Sequence, residues 1–487
     1  MKQVKIINQR TAPLLEELIK YQCKKFHPFH VPGHKGGRGL LPEWQAYLGQ
    51  GVFSLDLTEI EGLDDLHHPT GPIESAQNLA ASLMGAQEAY FLVNGVTAGI
   101  HAAIMALCRP GDTIIIPRHA HRSVYEGVML AGAKPVYLQP EMDENWGMPL
   151  GVTPEQAAEA IKTYPQGKAL VMVHPTYQGL TSDINGIGSI AKEAGIPLIA
   201  DEAHGAHFKF SPSFPPAALE CGAAIAVQGW HKTMGSFTQS GLLLLQDQNL
   251  PLKNYLSLLQ STSPSYLLMA SLDAQRKQWA EKGSQMAEQI LDLSRWFRRK
   301  VAQLKGMECL DEESLNTSCC TSFDSSKILL NSADLGLNGY QLAEELRNTY
   351  RIQPEMASLK GVLLIVTIGD GKEEIEYLWG ALQDLAARFP IRKRKRTSSN
   401  FRYQMGKMVL LPGEAMHAPK MRIPLWEAAG YISGEFICPY PPGIPLVVPG
   451  EIITREVLDQ IDQIKSWGGH IQGPGDASGK ILAVLKE

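Results

Sequence analysis

Between Val227 and Gly241 the chain reads VQGWHKTMGSFTQSG, which places Lys232 just after one apolar run and just before another. A lysine at the end of a strand is ordinarily only solvated, so a chemical role requires other groups at the same edge. The residues that follow the other apolar runs supply them. EAYFLV leads into Asn94-Gly95-Val96-Thr97, DTIIIP into Arg118-His119-Ala120-His121, and KALVMV into His174-Pro175-Thr176-Tyr177. PLIA leads into Asp201-Glu202-Ala203-His204, and AAIAVQ into Gly229-Trp230-His231-Lys232. A lysine amine condenses with an aldehyde, and free N–H groups at a helix start bind phosphate. A carboxylate can hold a ring nitrogen protonated. Opposite charges ~4 Å apart at an effective dielectric of about 20 attract by about 4 kcal/mol. Pyridoxal phosphate is the cofactor that needs all three groups. Gly95, Val96 and Thr97 would take its phosphate, Lys232 its aldehyde and Asp201 its nitrogen.

Other chemistries fit less well. His204-x-x-His207 has a possible metal spacing, but no third ligand pattern accompanies it. DEAH without a GxxxxGK[ST] loop has nothing to hold a triphosphate, and the absence of GxGxxG argues against a dinucleotide fold.

The elements that must position these residues alternate. From about residue 89, short β-rich runs are followed by tight loops and segments with helical periodicity, as in TAGIHAAIMAL and RSVYEGVMLAGA. Thr153-Pro154-Glu155-Gln156 combines a capping box with proline at the first helical position. Strands nearly continuous in apolar residues predict an α/β fold with a mostly parallel sheet covered on both faces. In such sheets ligands bind at the carboxyl ends of the strands. A second strand-helix-strand-helix set follows in KILLNSA, GYQLAEELRNTY, GVLLIVTIG and EEIEYLWGALQDLAARF. It ends at IRKRKRTSSN (391–400), which reads as a solvated linker rather than a nucleic-acid patch, the whole chain being acidic. Five prolines within residues 439–451 exclude regular helix or central strand there.

The 487 residues suffice for two or three compact units, and a net charge of -5 gives no general attraction to nucleic acid or anionic membrane. No apolar run approaches a membrane span, and MKQVKIINQR lacks a signal-peptide core. Seven cysteines without a CxxC pair, two of them adjacent at Cys319 and Cys320, predict a reduced cytoplasmic protein.

With these residues in view, the sequence resembles the Orn/Lys/Arg decarboxylase family, fold-type I enzymes that decarboxylate basic amino acids with pyridoxal phosphate. The resemblance runs through FHVPGHKGG (29–37), LDDLHHPTGPI (63–73), VNGVTAGIHAA (93–103), HAHRSVYEG (119–127) and HPTYQG (174–179). It continues in DEAHGAHF (201–208), QGWHKT (228–233), STSPSYLLMASLDAQR (261–276) and PYPPGIPLVVPGE (439–451). The last two are the most distinctive, because generic cofactor chemistry does not demand them. The resemblance implies a homodimer with a shared site and four parts. These are an N-terminal segment (1–70), a large cofactor domain (71–325), a small α/β domain (326–390) and a C-terminal domain (391–487).

It also implies roles for individual residues. Lys232 would carry the cofactor as a Schiff base, Asp201 would pair with its nitrogen and His121 would stack on its ring. His204 would line the ring edge, and His231 would join Gly95, Val96 and Thr97 at the phosphate. Tyr177 and Glu435 would bind substrate, Glu435 (or Asp64 and Asp65) meeting its distal cation. Arginine is the favoured substrate, with lysine and ornithine open. The proton returned to the α-carbon would come from Lys232 or a nearby histidine.

Four positions depart from the family pattern. Gly229-Trp230 stands where a hydroxyl pair is usual, Val96 where Ser or Thr is common, and Tyr431 where Arg is frequent. Two lost hydroxyls, each worth about 1 kcal/mol net, would weaken the phosphate cradle, and Trp230 would add a large aromatic beside the cofactor. These changes are the only support for an inactive, cofactor-binding regulatory protein. An aminotransferase would require an arginine clamp for the α-carboxylate, and the 439–451 segment speaks against it.

Overall fold

The structure, a computed structural model, describes residues 8–315, 319–392, 406–476 and 479–486. The basic stretch expected to act as a linker lies outside the described residues from position 393 on. Ten elements carry the site: β1 (Glu88–Leu92), α1 (Gly95–Leu107), β2 (Thr113–Pro117), α2 (Arg122–Ala131), β3 (Lys134–Leu138), β4 (Ala169–Val173), β5 (Leu198–Asp201), β6 (Ile225–Gln228), α3 (Trp230–Thr233) and β7 (Gly241–Leu245).

The chain forms two compact units. The first comprises Met1–Ala106, Ile199–Pro212 and Pro216–Ala287. Its strands neighbour one another in the order β1-β7-β6-β5. β5 and β6 are parallel, with Asp201 opposite Val227. β7 is antiparallel to both neighbours, with Leu92 opposite Gly241 and Leu242 opposite Gln228. The connection from β6 to β7 carries only the single helical turn α3 and not the longer helix that usually joins parallel neighbours. Its consequence is chemical. The amino end of β7 lies at the edge where β1, β5 and β6 end, so the loop after Lys232 returns to that same edge.

The second unit comprises Leu107–Leu198, Ser213–Pro215 and Glu288–Glu487. Its strands β4, β2 and β3 are parallel neighbours in that order. The expected α/β architecture with a mostly parallel sheet is thus realised, apart from the antiparallel β7. The capping box predicted at Thr153 forms with Gln156, and Gly132 ends α2 in the left-handed region.

The second strand-helix set also forms, as Lys327–Asn331, Gly339–Tyr350, Val362–Ile365 and Lys372–Arg388. Its strands belong to a four-stranded antiparallel sheet. A further core gathers Ile437, Val457, Leu458, Ile461, Leu482 and Val484, and the tyrosine at the variant position 431 packs against it. Residues 440–448 have no helix or strand, as their prolines require. No helix among the described residues is long and apolar enough to cross a membrane.

Candidate active site

In the first unit, β5 and β6 end side by side and set two loops in register. Glu202 N donates to Val227 O at 3.0 Å, and Gly229 N to Ala203 O at 3.2 Å. Lys232 N then closes the turn on Gly229 O at 2.9 Å. The Lys232 Nζ and His204 Nε2 are 3.0 Å apart. Asp201, at the end of β5, is buried, and its Oδ1 accepts from Ala203 N at 3.3 Å. His231 Nδ1 donates to Ser240 O at 2.8 Å, since a carbonyl only accepts, which fixes the ring. Burial lowers the pKa of His231 below its ordinary value; the Ser240 bond opposes this and the charge on Lys232 adds to it.

The helix start expected to hold phosphate lies at the same edge. Gly95 opens α1 with a φ of +77°. The first N–H groups of a helix have no partner within it. A Cβ placed on Gly95 would meet only Gln239 O, at 3.9 Å. Val93, just before, is held on both sides: its N donates to Gln260 Oε1 at 2.8 Å and its O accepts from Gln239 Nε2 at 2.7 Å. Val96 turns its methyl toward Gly241 and brings only its backbone to the cradle, whereas Thr97 is exposed. An amine, a carboxylate and an open helix start on one edge fit pyridoxal phosphate.

The Trp230 side chain is fully buried. The indole Nε1 donates to Gln228 Oε1 at 3.0 Å, and Gln228 Nε2 donates to Glu202 Oε2 at 2.6 Å. Ala218 N donates to the other Glu202 oxygen at 2.8 Å. Burial pushes the Glu202 carboxyl up to about 7; the bonds from Gln228 and Ala218 pull the other way, and Glu220 adds slightly to the rise.

The second unit holds His121, Tyr177 and Glu435. His121 caps α2: its Nδ1 accepts from Ser123 N at 3.2 Å and lies 2.9 Å from Ser123 Oγ. That assigns the proton to Nε2. Gly443 backs the ring so closely that a Cβ there would stand 3.3 Å from His121 Nε2, and Arg122 N donates to Gly443 O at 3.1 Å. The loop is pinned from below by Arg118, which is fully buried. Its guanidinium donates to Pro445 O (2.7 Å), Leu446 O (3.0 Å), Tyr125 Oη (3.1 Å) and Glu451 Oε2 (3.2 Å). Sequence reading singled out Arg118 only by its place after β2; nothing local signalled its carboxylate partner.

Tyr177 donates a short hydrogen bond to Glu355, and Tyr440 also acts on it electrostatically. Burial and the Glu355 charge push the Tyr177 hydroxyl well above its usual range. Glu355 is exposed and was not found by sequence reading. Glu435, by contrast, is engaged by backbone: Oε1 accepts from Gly475 N and Oε2 from Ala483 N, each at 3.0 Å. In the first unit the Asp64 carboxylate is likewise taken up, accepting N–H groups of Asp65, Thr70, Gly71, Ile73 and Glu74. Asp65 accepts from His67 N at 2.8 Å. These bonds give Asp64 a structural role at the start of the Pro72–Met84 helix.

Comparison with known proteins defines the class. The pattern of the Orn/Lys/Arg decarboxylase major domain matches residues 12–331, and that of the C-terminal domain of the same family matches residues 395–475. The chain belongs to the Orn/Lys/Arg decarboxylase family, and it is an amino acid decarboxylase of that pyridoxal-phosphate-dependent group. It is 38% identical to the arginine decarboxylase of Bacillus subtilis (strain 168) over 487 residues, 99% of either chain. The arginine decarboxylase of Bacillus anthracis is 36% identical over 485 residues, covering 99% of this chain and 98% of the relative. Among solved structures, the lysine decarboxylase LdcF of Francisella novicida shares the fold with a TM-score of 0.83 at 21% identity, over 98% of this chain and 81% of its own.

Proposed function

We propose that the chain decarboxylates arginine to its amine and carbon dioxide, with pyridoxal phosphate held on Lys232. The observation that carries this reading is the convergence of Lys232, His204, Asp201 and the start of α1 on one strand edge, with Nζ 3.0 Å from the imidazole. The arginine assignment rests on relatives 36–38% identical over nearly the full length.

When bound, the cofactor would supply an electron sink for the bonding pair left on the α-carbon as carbon dioxide departs. The chain's residues do the rest. Asp201, buried at the end of β5, holds a proton on the ring nitrogen. The N–H groups of Gly95, Val96 and Thr97, with His231, hold the phosphate. His121, with Gly443 against its Nε2, would stack on the cofactor ring. The Lys232 amine and His204, within hydrogen-bonding distance, can pass one proton between them and return it to the α-carbon.

Glu355, exposed and bonded by Tyr177, is our choice for the distal cation over Glu435, whose two oxygens each already accept a backbone N–H group. A carboxylate bonded to a tyrosine hydroxyl offers a guanidinium a planar acceptor with which to pair. The assembly we propose is a cytoplasmic homodimer with a shared site. Its support is the apolar exposure of the N-terminal segment, where Phe29 is 97% and Tyr47 84% exposed alongside Phe26, Val31, Leu41 and Trp44.

The test is amine formation followed by mass spectrometry, with arginine, lysine and ornithine offered separately and pyridoxal phosphate added. The amine of arginine should dominate. A different dominant amine would replace the substrate, and no amine from any of the three would overturn the reading.

A further inference from the structure

The pair Gly229-Trp230 departs from the family pattern, and its geometry gives it a use of its own. Gly229 has no room for a side chain. A Cβ there would lie 2.7 Å from Ala203 O, 3.2 Å from Lys232 Cδ and 3.3 Å from Lys232 Cγ. The first neighbour is backbone, fixed by the bond from Gly229 N to Ala203 O at 3.2 Å, and cannot step aside cheaply. The bare glycine lets the lysine stem lie against the loop that follows Asp201.

Trp230 acts at the other side of the same turn. An indole N–H can only donate, so it orients the Gln228 amide with its oxygen toward Trp230 and its nitrogen toward Glu202. Trp230, Gln228 and Glu202 are all buried. The chain of donors therefore runs from the turn that carries Lys232, through the end of β6, to the residue beside Asp201. It ties together the two loops whose lysine and acid must face one ring.

We propose that Gly229 and Trp230 are positioning residues that aim Lys232 relative to Asp201, and that position 229 takes no part in holding phosphate. This inference rests on Lys232 being the cofactor lysine. Its sharpest consequence is counter to the family pattern: restoring a hydroxyl at 229 harms cofactor binding.

The experiment uses the full chain. Pyridoxal phosphate is titrated into wild type, Gly229→Ser, Gly229→Ala, Trp230→Phe and Lys232→Ala, with dissociation constants read from the visible absorption of the bound cofactor. Borohydride trapping and peptide mass mapping then locate the adduct. Ile461→Ala, in the buried C-terminal core, serves as a control for general destabilisation, and apo-chain melting is recorded for all. Trapping of wild type at Lys232 tests the underlying reading separately, and its absence would sink that reading whatever the other variants do.

Given trapping, Gly229→Ser and Gly229→Ala should weaken binding together, at least tenfold, because the Cβ is the offending atom in both. Trp230→Phe should weaken it several-fold, with a loss of affinity larger than Ile461→Ala shows at an equal loss of melting temperature. Wild-type or tighter binding by Gly229→Ser overturns the proposal. Should the Gly229 variants fail to fold, wild-type affinity in Trp230→Phe overturns it alone, as does a loss matching the control.

Discussion

Lys232 Nζ and His204 Nε2 stand 3.0 Å apart in a part-buried setting, close enough to share one proton and too close to hold two without repulsion. The pair is thus suited to moving a proton at the reacting carbon. Lys232→Ala should abolish both amine formation and covalent retention of pyridoxal phosphate. His204→Ala should keep the trapped adduct yet slow turnover about 10²-fold, the ordinary worth of a positioned acid or base. Single-turnover kinetics with trapping on the same samples separates the two effects.

The ion pair of Arg118 with Glu451, closed at 3.2 Å with both side chains almost wholly hidden, anchors the proline-rich loop that backs His121. Removing one member leaves the other charge stranded, and such losses run to about 3–5 kcal/mol. Arg118→Met and Glu451→Leu should each lower the urea midpoint accordingly. The double variant should lose much less than the sum, as a coupled pair requires. Additive losses would show that the pair does not act as a unit.

Glu202 makes stability fall as pH rises. Its carboxyl is raised from 4.5 to about 7 by burial, so between these values the folded chain binds the more protons. Stability from this group is therefore fully present below pH 4.5 and is lost as pH rises through about 7, by about 3 kcal/mol at most. Denaturant midpoints measured across that window should decline for wild type, and the decline should flatten in Glu202→Gln. An equal slope in both would remove Glu202 as the cause.

If Glu355 receives the distal cation, Glu355→Gln should raise KM for arginine about tenfold, in line with a charge-assisted hydrogen bond. The kcat should change much less, and Glu355→Asp should fall between. Steady-state kinetics on both variants decides it. A larger KM effect from Glu435→Gln than from Glu355→Gln would return the role to Glu435.

The amino-acid sequence by itself determined the α/β class and the small set of residues that follow its strands. Apolar runs alternating with helical periods force a largely parallel sheet, and parallel strands all end on one edge. Lys232, Asp201 and Gly95 to Thr97 were therefore legible as neighbours from order alone. The antiparallel β7 was not legible, because a run such as GLLLLQ carries no sign of its direction.

Only the tertiary structure decided which side chains are available for chemistry. Glu435 and Asp64 read as carboxylates for a cation, and backbone N–H groups bond to both; Trp230 reads as an aromatic near the cofactor, and its side chain is fully buried. Tyr177 meets Glu355 across 178 residues and Arg118 meets Glu451 across 333. Pairings at such separations leave no local pattern, since they depend on how elements pack and not on the period within any one of them.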